Sequence, residues 1–78
     1  MTENYQAKRE RWQRLLASLP AGLREHVSLR NVESVAALTP PARQRLLEAI
    51  QAGLKRLPRA VDQLRVNPDT PVEELLHP

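Results

Sequence analysis

The pattern of apolar and polar positions divides this chain into short helical segments, with proline as the main boundary between them. The first segment spans about residues 3–19, with Thr2 as a suitable N-cap and Pro20 after its end. At roughly 100° per residue, its apolar side chains cover one face about a third of a turn wide. These side chains are Tyr5, Trp12, Leu15, Leu16 and Leu19. The pattern predicts an amphipathic first helix.

The clearest helix start is Thr39-Pro40-Pro41, because threonine is a good N-cap and proline is tolerated in the first turn. An aliphatic stripe with helical spacing follows and predicts one long amphipathic helix reaching position 57. The stripe consists of Leu46, Leu47, Ile50, Leu54 and Leu57. Gly53 falls inside this predicted helix, where glycine costs about 1 kcal/mol relative to alanine. We attribute it to the close approach of another helix.

The remaining segments are short and are bounded by Pro58 and by a second Thr-Pro start at Thr70. Val61 and Leu64 keep the angular phase of the aliphatic stripe, so Pro58 either kinks one helix or separates two. Further short helices are predicted near residues 21–27, 32–38 and 72–76. The sequence therefore predicts an all-α bundle of four or five short helices. It forms a single domain over residues 1–78, with disordered ends at 1–3 and 77–78.

Chain length and composition limit how this bundle is stabilised. A chain of 78 residues buries only about 60% of the surface that it exposes when unfolded. It contains no cysteine, so neither a disulfide nor a thiolate metal site can strengthen it. Helix packing, or self-association, must supply the stability.

The charge balance and the apolar runs bear on location. Twelve Lys and Arg against nine Asp and Glu leave a net charge of +3, which is modest for this length. No apolar run approaches the roughly 20 residues that span a bilayer. Glu3 and Glu10 make the N-terminal segment unlike a signal peptide. These features predict a cytoplasmic protein without membrane association.

The residues that carry catalytic chemistry are few. His26 and Ser28 stand two positions apart, so they would not face each other on a helix, and His77 lies beside the C-terminus. No closely spaced histidine pair, acidic calcium loop or phosphate-binding glycine motif occurs. We predict that the protein is not an enzyme and uses no cofactor, metal or small-molecule substrate.

The first helix is basic and holds the only tryptophan, which raises the possibility of nucleic-acid contact. The candidate contact residues are Lys8, Arg9, Arg11 and Arg14. On a helical wheel they encircle the apolar face and do not form one basic side. The favoured interpretation is that Trp12 belongs to the core and the long basic side chains cover its rim.

The aliphatic stripe suggests a protein interface instead, because exposed apolar patches usually mark interaction sites. The candidate partner-binding residues are Arg9, Arg11, Leu46, Leu47, Ile50 and Leu54. Alternatively, the first helix covers this stripe within a monomer. The leading hypothesis is a protein-interaction module, an adaptor or regulator that binds a partner protein or forms a homodimer. Nucleic-acid binding through the first helix is the alternative.

Overall fold

The computed structural model describes residues 5–77, which form six α-helices connected by short turns. No β-strand occurs in this part of the chain. The helices are α1 Tyr5–Ala17, α2 Ala21–Arg24, α3 Val32–Ala36, α4 Pro40–Gln51, α5 Leu57–Val66 and α6 Val72–Leu76. The prediction of a small all-α bundle is confirmed. The Thr2 cap and the disordered ends predicted at residues 1–3 and at Pro78 lie outside the described residues, whereas His77 lies within them.

The core is aliphatic and is centred on α4, which packs against α2, α5 and α6. Every helix from α2 to α6 contributes at least one buried apolar side chain, whereas α1 contributes none. The largest fully buried aliphatic side chains are Leu19, Leu23, Leu46, Leu64, Val32 and Val35. Helix α1 instead packs along α3 with side chains that are only half-buried. Helix α1 therefore packs on the outer surface of the core.

The aliphatic stripe is divided between two helices, so the prediction of one helix reaching position 57 is wrong. Helix α4 ends at Gln51, and Gly53 adopts a left-handed conformation with φ of 103°. The amide of Leu54 donates to the carbonyl oxygen of Ala49 at 2.9 Å, and the amide of Gly53 donates to that of Ile50 at 3.0 Å. This pair of hydrogen bonds defines a Schellman motif. Gly53 is therefore required by helix termination.

The separation at Gly53 explains why six helices form where four or five were predicted. Pro58 is the second residue of α5, where its missing N–H leaves no intrahelical hydrogen bond unmade. The side-chain position of Gly53 is open, with no neighbouring atom within 4 Å. Close approach of another helix occurs instead at Gly22, where a Cβ would lie 3.2 Å from Leu47 Cδ1. Glycine thus allows α2 to contact α4.

Gly53→Ala is expected to lower the free energy of unfolding by about 1–2 kcal/mol, because a left-handed conformation is unfavourable for residues with a Cβ. Gly53→Asn is the matched control and is expected to cost less, since asparagine tolerates this conformation. Urea denaturation followed by circular dichroism measures both changes. Equal stability of the alanine variant and the wild type would contradict the assigned cap.

Arginine side chains from α4 and from the short helix α2 bind the chain immediately after α1. Arg24 Nε donates to the carbonyl oxygen of Leu19 at 3.0 Å, and Arg43 Nη1 donates to that of Ser18 at 3.0 Å. Arg43 Nε also donates to the carbonyl oxygen of Leu38 at 3.0 Å. Arg24 Nη2 donates to the carbonyl oxygen of Ala17, the last residue of α1, at 3.3 Å. Carbonyl groups in the last turn of a helix have no intrahelical partner, and cations are favourable there. Arg43 therefore links the chain after α1, the chain after α3 and the start of α4.

Arg43→Met is expected to lower the free energy of unfolding by about 1–2 kcal/mol, because it removes charged hydrogen bonds to two carbonyl groups that are partly exposed. Arg14→Met is the matched control, since Arg14 is exposed and makes no such bond within the described part of the chain. It is expected to change stability by less than about 0.5 kcal/mol. Thermal and urea denaturation of the two variants measure the difference. Equal losses of stability in the two variants would show that the hydrogen bonds of Arg43 to the two carbonyl groups do not stabilise the fold.

Polar contacts fix the turn between α5 and α6. They differ from the contact expected if Thr70 were the N-cap of the last helix. The hydroxyl of Thr70 is buried and donates to the carbonyl oxygen of Asn67 at 2.6 Å, so it does not cap α6. Arg45 Nη1 donates to the carbonyl oxygen of Pro68 at 2.6 Å. Since Arg45 belongs to α4, this bond fixes the turn against the central helix and so positions α6.

Candidate protein-binding surface

Among the six helices of the described residues, α1 alone has no buried side chain. The described chain is elongated, with principal extents of 45 × 23 × 20 Å. The side chains from Tyr5 to Arg11 are all exposed, and the half-buried ones begin at Trp12. Trp12, Leu15 and Leu16 pack against the core without being enclosed by it. The apolar face of α1 is therefore only partly covered within a single chain.

Trp12 lies at the boundary between the core and the surface. Its indole packs against the buried cluster, yet the side chain is only half-buried. Lys8 Nζ lies 5.4 Å from the centre of the indole ring, a distance at which cation and ring attract each other. The predicted arrangement, a core tryptophan with basic side chains at its rim, therefore applies only to the side of the indole that packs against the core.

A shallow groove runs along α1 beside Trp12 and encloses about 410 Å³. Its walls are mainly apolar, with Arg9 and Gln13 at the edge. The apolar lining residues are Tyr5, Trp12, Leu16 and Leu29. Tyr5 is 74% exposed and Leu29 is 51% exposed, although both are large apolar side chains. We refer to this surface, formed by these four residues with Arg9 and Gln13, as the α1 groove.

Leu29 is the groove residue that the sequence pattern does not reveal. It belongs to the turn between α2 and α3, where no helical periodicity marks one side as apolar. The amide of Ser28 donates to Asn31 Oδ1 at 2.9 Å and so orders this turn. The only available signal is a leucine between the polar residues Ser28 and Arg30. Its place beside Trp12 follows from the packing of α1 on α3.

The four basic residues of α1 are all exposed, but they differ in their contacts. Arg11 Nη2 lies 3.0 Å from Glu33 Oε1 and connects α1 to α3. Such an exposed ion pair contributes at most about 1 kcal/mol. Lys8 lies over the indole ring, Arg9 lines the α1 groove, and Arg14 is exposed outside it. Among the predicted partner-binding and nucleic-acid residues, only Arg9 is part of the groove.

The aliphatic stripe of α4 and the turn after it is largely covered within a single chain. Leu46 is 0% exposed and lies at the centre of the core. Leu47, Ile50 and Leu54 are half-buried and pack against the same cluster. The covering elements are the short helix α2 and helices α5 and α6, whereas the alternative prediction named the first helix. Leu46 therefore has no surface to offer a partner in the folded chain.

The other chemically versatile residues are dispersed. His26 and Ser28 are both exposed in the turn after α2. Among residues 5–77, no three His, Asp or Glu side chains lie close enough together to hold a metal ion. In the same part of the chain, every helix is too short or too polar to cross a membrane.

Comparison with known proteins adds no similarity from which a function can be inferred. The chain matches no protein-family model, and neither a curated protein nor a solved structure is significantly similar to it. The basis for a functional inference is therefore the geometry and charge of the molecule itself.

Proposed function

We propose that this protein is a non-catalytic interaction module that binds an acidic, amphipathic helix of a partner protein in the α1 groove. The observation that carries the proposal is the exposure of Tyr5 and Leu29 beside the half-buried Trp12. Aromatic side chains of this kind are frequent anchors in protein interfaces. The proposed role is that of a cytoplasmic adaptor or regulator.

The shape of the groove favours a helical partner. Helix α1 has 13 residues and is therefore about 20 Å long at 1.5 Å per residue. The apolar lining extends from Tyr5 through Trp12 to Leu16, at intervals of seven and four residues. An amphipathic helix places its own apolar side chains at similar intervals, which suits lengthwise packing.

The charge of α1 favours an acidic partner over a second copy of the chain. Residues 5–17 contain four cations and one carboxylate, Glu10. Pairing of two α1 helices through this face would bring together two helices that each carry this excess of positive charge, with Arg9 of each chain at the groove edge. Like charges disfavour such pairing, whereas an acidic helix is attracted and guided toward the groove. A homodimer through the α4 stripe is disfavoured as well, since the stripe is mostly covered by the chain itself.

Nucleic acid is the alternative ligand for the same helix, and the arrangement of Trp12 and Arg11 favours it less. Base stacking requires an open aromatic face, whereas Lys8 lies over the indole of the half-buried Trp12. Arg11 is engaged by Glu33, and Lys8 lies over the indole. Arg9 and Arg14 are then the cations of α1 that have neither an anionic nor an aromatic partner among residues 5–77. Binding to a protein uses the apolar groove itself, which a phosphate backbone would leave exposed.

The test is photocrosslinking in cells from a photoreactive amino acid at position 29. Position 66 is the matched control, because Val66 is 87% exposed and lies at the end of α5 outside the groove. We expect a protease-sensitive adduct with a different protein from position 29 and none from position 66. A nuclease-sensitive adduct, an adduct of two identical chains, or equal adducts from both positions would contradict the proposal.

Arg9→Glu is expected to weaken partner binding about tenfold, because it replaces an attractive charge at the groove edge with a repulsive one. Arg14→Glu is the matched control and is expected to have a small effect, since Arg14 does not line the groove. Isothermal titration of the purified partner at two salt concentrations measures both. Equal effects of the two variants would indicate that net charge alone controls binding.

A further inference from the structure

A second cavity, of about 360 Å³, lies between the α4–α5 turn and the end of α6. Its rim carries three exposed cations, Lys55, Arg56 and Arg59. We refer to this cavity, with its rim and lining, as the α6 pocket. It shares no lining residue with the α1 groove, so it is a separate feature of the molecule.

The lining of the α6 pocket includes three leucines. Leu75 is buried, Leu54 is half-buried, and Leu76 is 39% exposed. The Schellman turn at Gly53 places Leu54 here, because it ends α4 and reverses the chain toward α5. The α5–α6 turn, held by Arg45, positions the two leucines of α6. An apolar wall is therefore surrounded by positive charge.

The positive charge of the rim is not neutralised within the described chain. Among residues 5–77, none of the three rim cations forms an ion pair with a carboxylate. The first turn of α5, which contains Arg59, has no acidic residue. Glu73 and Glu74 lie at the start of α6 and do not line the pocket. A ligand with carboxylates would complement this rim.

We propose that the α6 pocket binds an acidic peptide segment of a second partner, with a leucine-like side chain against the leucines and carboxylates on Arg56 and Arg59. Arginine suits this task because its planar guanidinium can hold a carboxylate with two parallel hydrogen bonds. The volume lies near the lower end of ligand pockets, which fits a short segment. With the α1 groove, the protein would then join two acidic partners.

The probe is a short synthetic peptide in which two leucines are flanked by aspartates and glutamates, titrated into isotope-labelled protein and followed by NMR. We expect saturable shifts of the amides in two ranges, 54–59 and 75–77. Arg56→Gln/Arg59→Gln is expected to weaken binding about tenfold. Leu76→Ala is expected to weaken it as well. Arg14→Gln/Arg30→Gln is the control, because it removes the same charge from exposed positions outside the pocket.

Several results would overturn the proposal. One is equal binding of a control peptide with serines in place of the leucines, or equal saturable shifts with inorganic phosphate, since either would mean that the leucines contribute nothing. Another is an equal loss of peptide affinity in the two double variants, which would indicate that binding depends on net charge alone. Shifts confined to residues 5–16 would place the peptide in the α1 groove. Unchanged unfolding midpoints of the pocket variants establish that they remain folded.

Photocrosslinking at position 29 tests the α1 groove, and its outcome does not depend on peptide binding in the α6 pocket.

Discussion

Leu46→Ala is expected to lower the free energy of unfolding by about 2–5 kcal/mol, because it removes a fully buried side chain and leaves a cavity. A chain of this length has a total stability of only about 4–12 kcal/mol, so this variant should be close to unfolding. Leu47→Ala changes the same residue type at the next position. Leu47 is half-buried against α2, and its loss is expected to cost much less.

Urea denaturation of the two leucine variants tests the assignment of Leu46 to the core. A far lower midpoint for Leu46→Ala than for Leu47→Ala is expected, with unchanged mass of the wild type by light scattering over a wide range of concentrations. The contrary result would be a Leu46→Ala variant as stable as the wild type but defective in association. That outcome would assign the stripe on α4 to an interface between chains.

Trp12→Ala is expected to lower the free energy of unfolding by about 2 kcal/mol and to abolish measurable partner binding. A fully buried tryptophan costs about 3–5 kcal/mol when replaced by alanine, and Trp12 is only half-buried. The effect on binding is larger, because central aromatic residues often dominate the energy of an interface. Trp12→Phe is the matched control, since it keeps an aromatic ring in the α1 groove.

Chemical denaturation and titration with the partner separate the two effects of Trp12→Ala. We expect the alanine variant to remain folded at low temperature while binding is lost, with partial binding in the phenylalanine variant. Full binding by a folded alanine variant would remove Trp12 from the proposed interface. A loss of about 5 kcal/mol would instead assign the whole side chain to the core.

The fold class could be predicted because its determinants are local. Helical spacing of the apolar residues and proline at segment boundaries are sufficient for an all-α prediction. Thr39 is a clear case, since its hydroxyl accepts a hydrogen bond from the amide of Ala42 at 3.3 Å, as expected for an N-cap. Val32 and Val35 are fully buried, as their spacing also indicates.

The end of α4 could not be predicted from periodicity alone. A glycine near the end of a helix and one in its interior look alike when the apolar spacing continues beyond it, as it does to Leu54 and Leu57. The left-handed conformation of Gly53 distinguishes them. Arg43 presents a similar difficulty, because its contact with Ser18 joins residues 25 positions apart. Nothing in the local sequence separates such an arginine from a solvated one.

Only part of the candidate binding surface could be predicted from the sequence. Apolar spacing places Trp12 and Leu16 on one face of α1, but the covered fraction of that face depends on which helix packs there. Because α3 has only five residues, it covers part of α1 and leaves Tyr5 exposed. Leu29 joins the surface from a turn. These properties arise from tertiary packing.

Partner binding in the α1 groove is tested most directly by the fluorescence of Trp12, the only tryptophan in the chain. The partner captured from position 29 is added to the purified protein, with a partner segment that lacks tryptophan. Binding in the α1 groove is expected to shift the emission to shorter wavelength and to reduce quenching by acrylamide, with both changes weakened by Arg9→Glu. Unchanged emission and quenching while the partner is bound would place binding elsewhere and contradict the account.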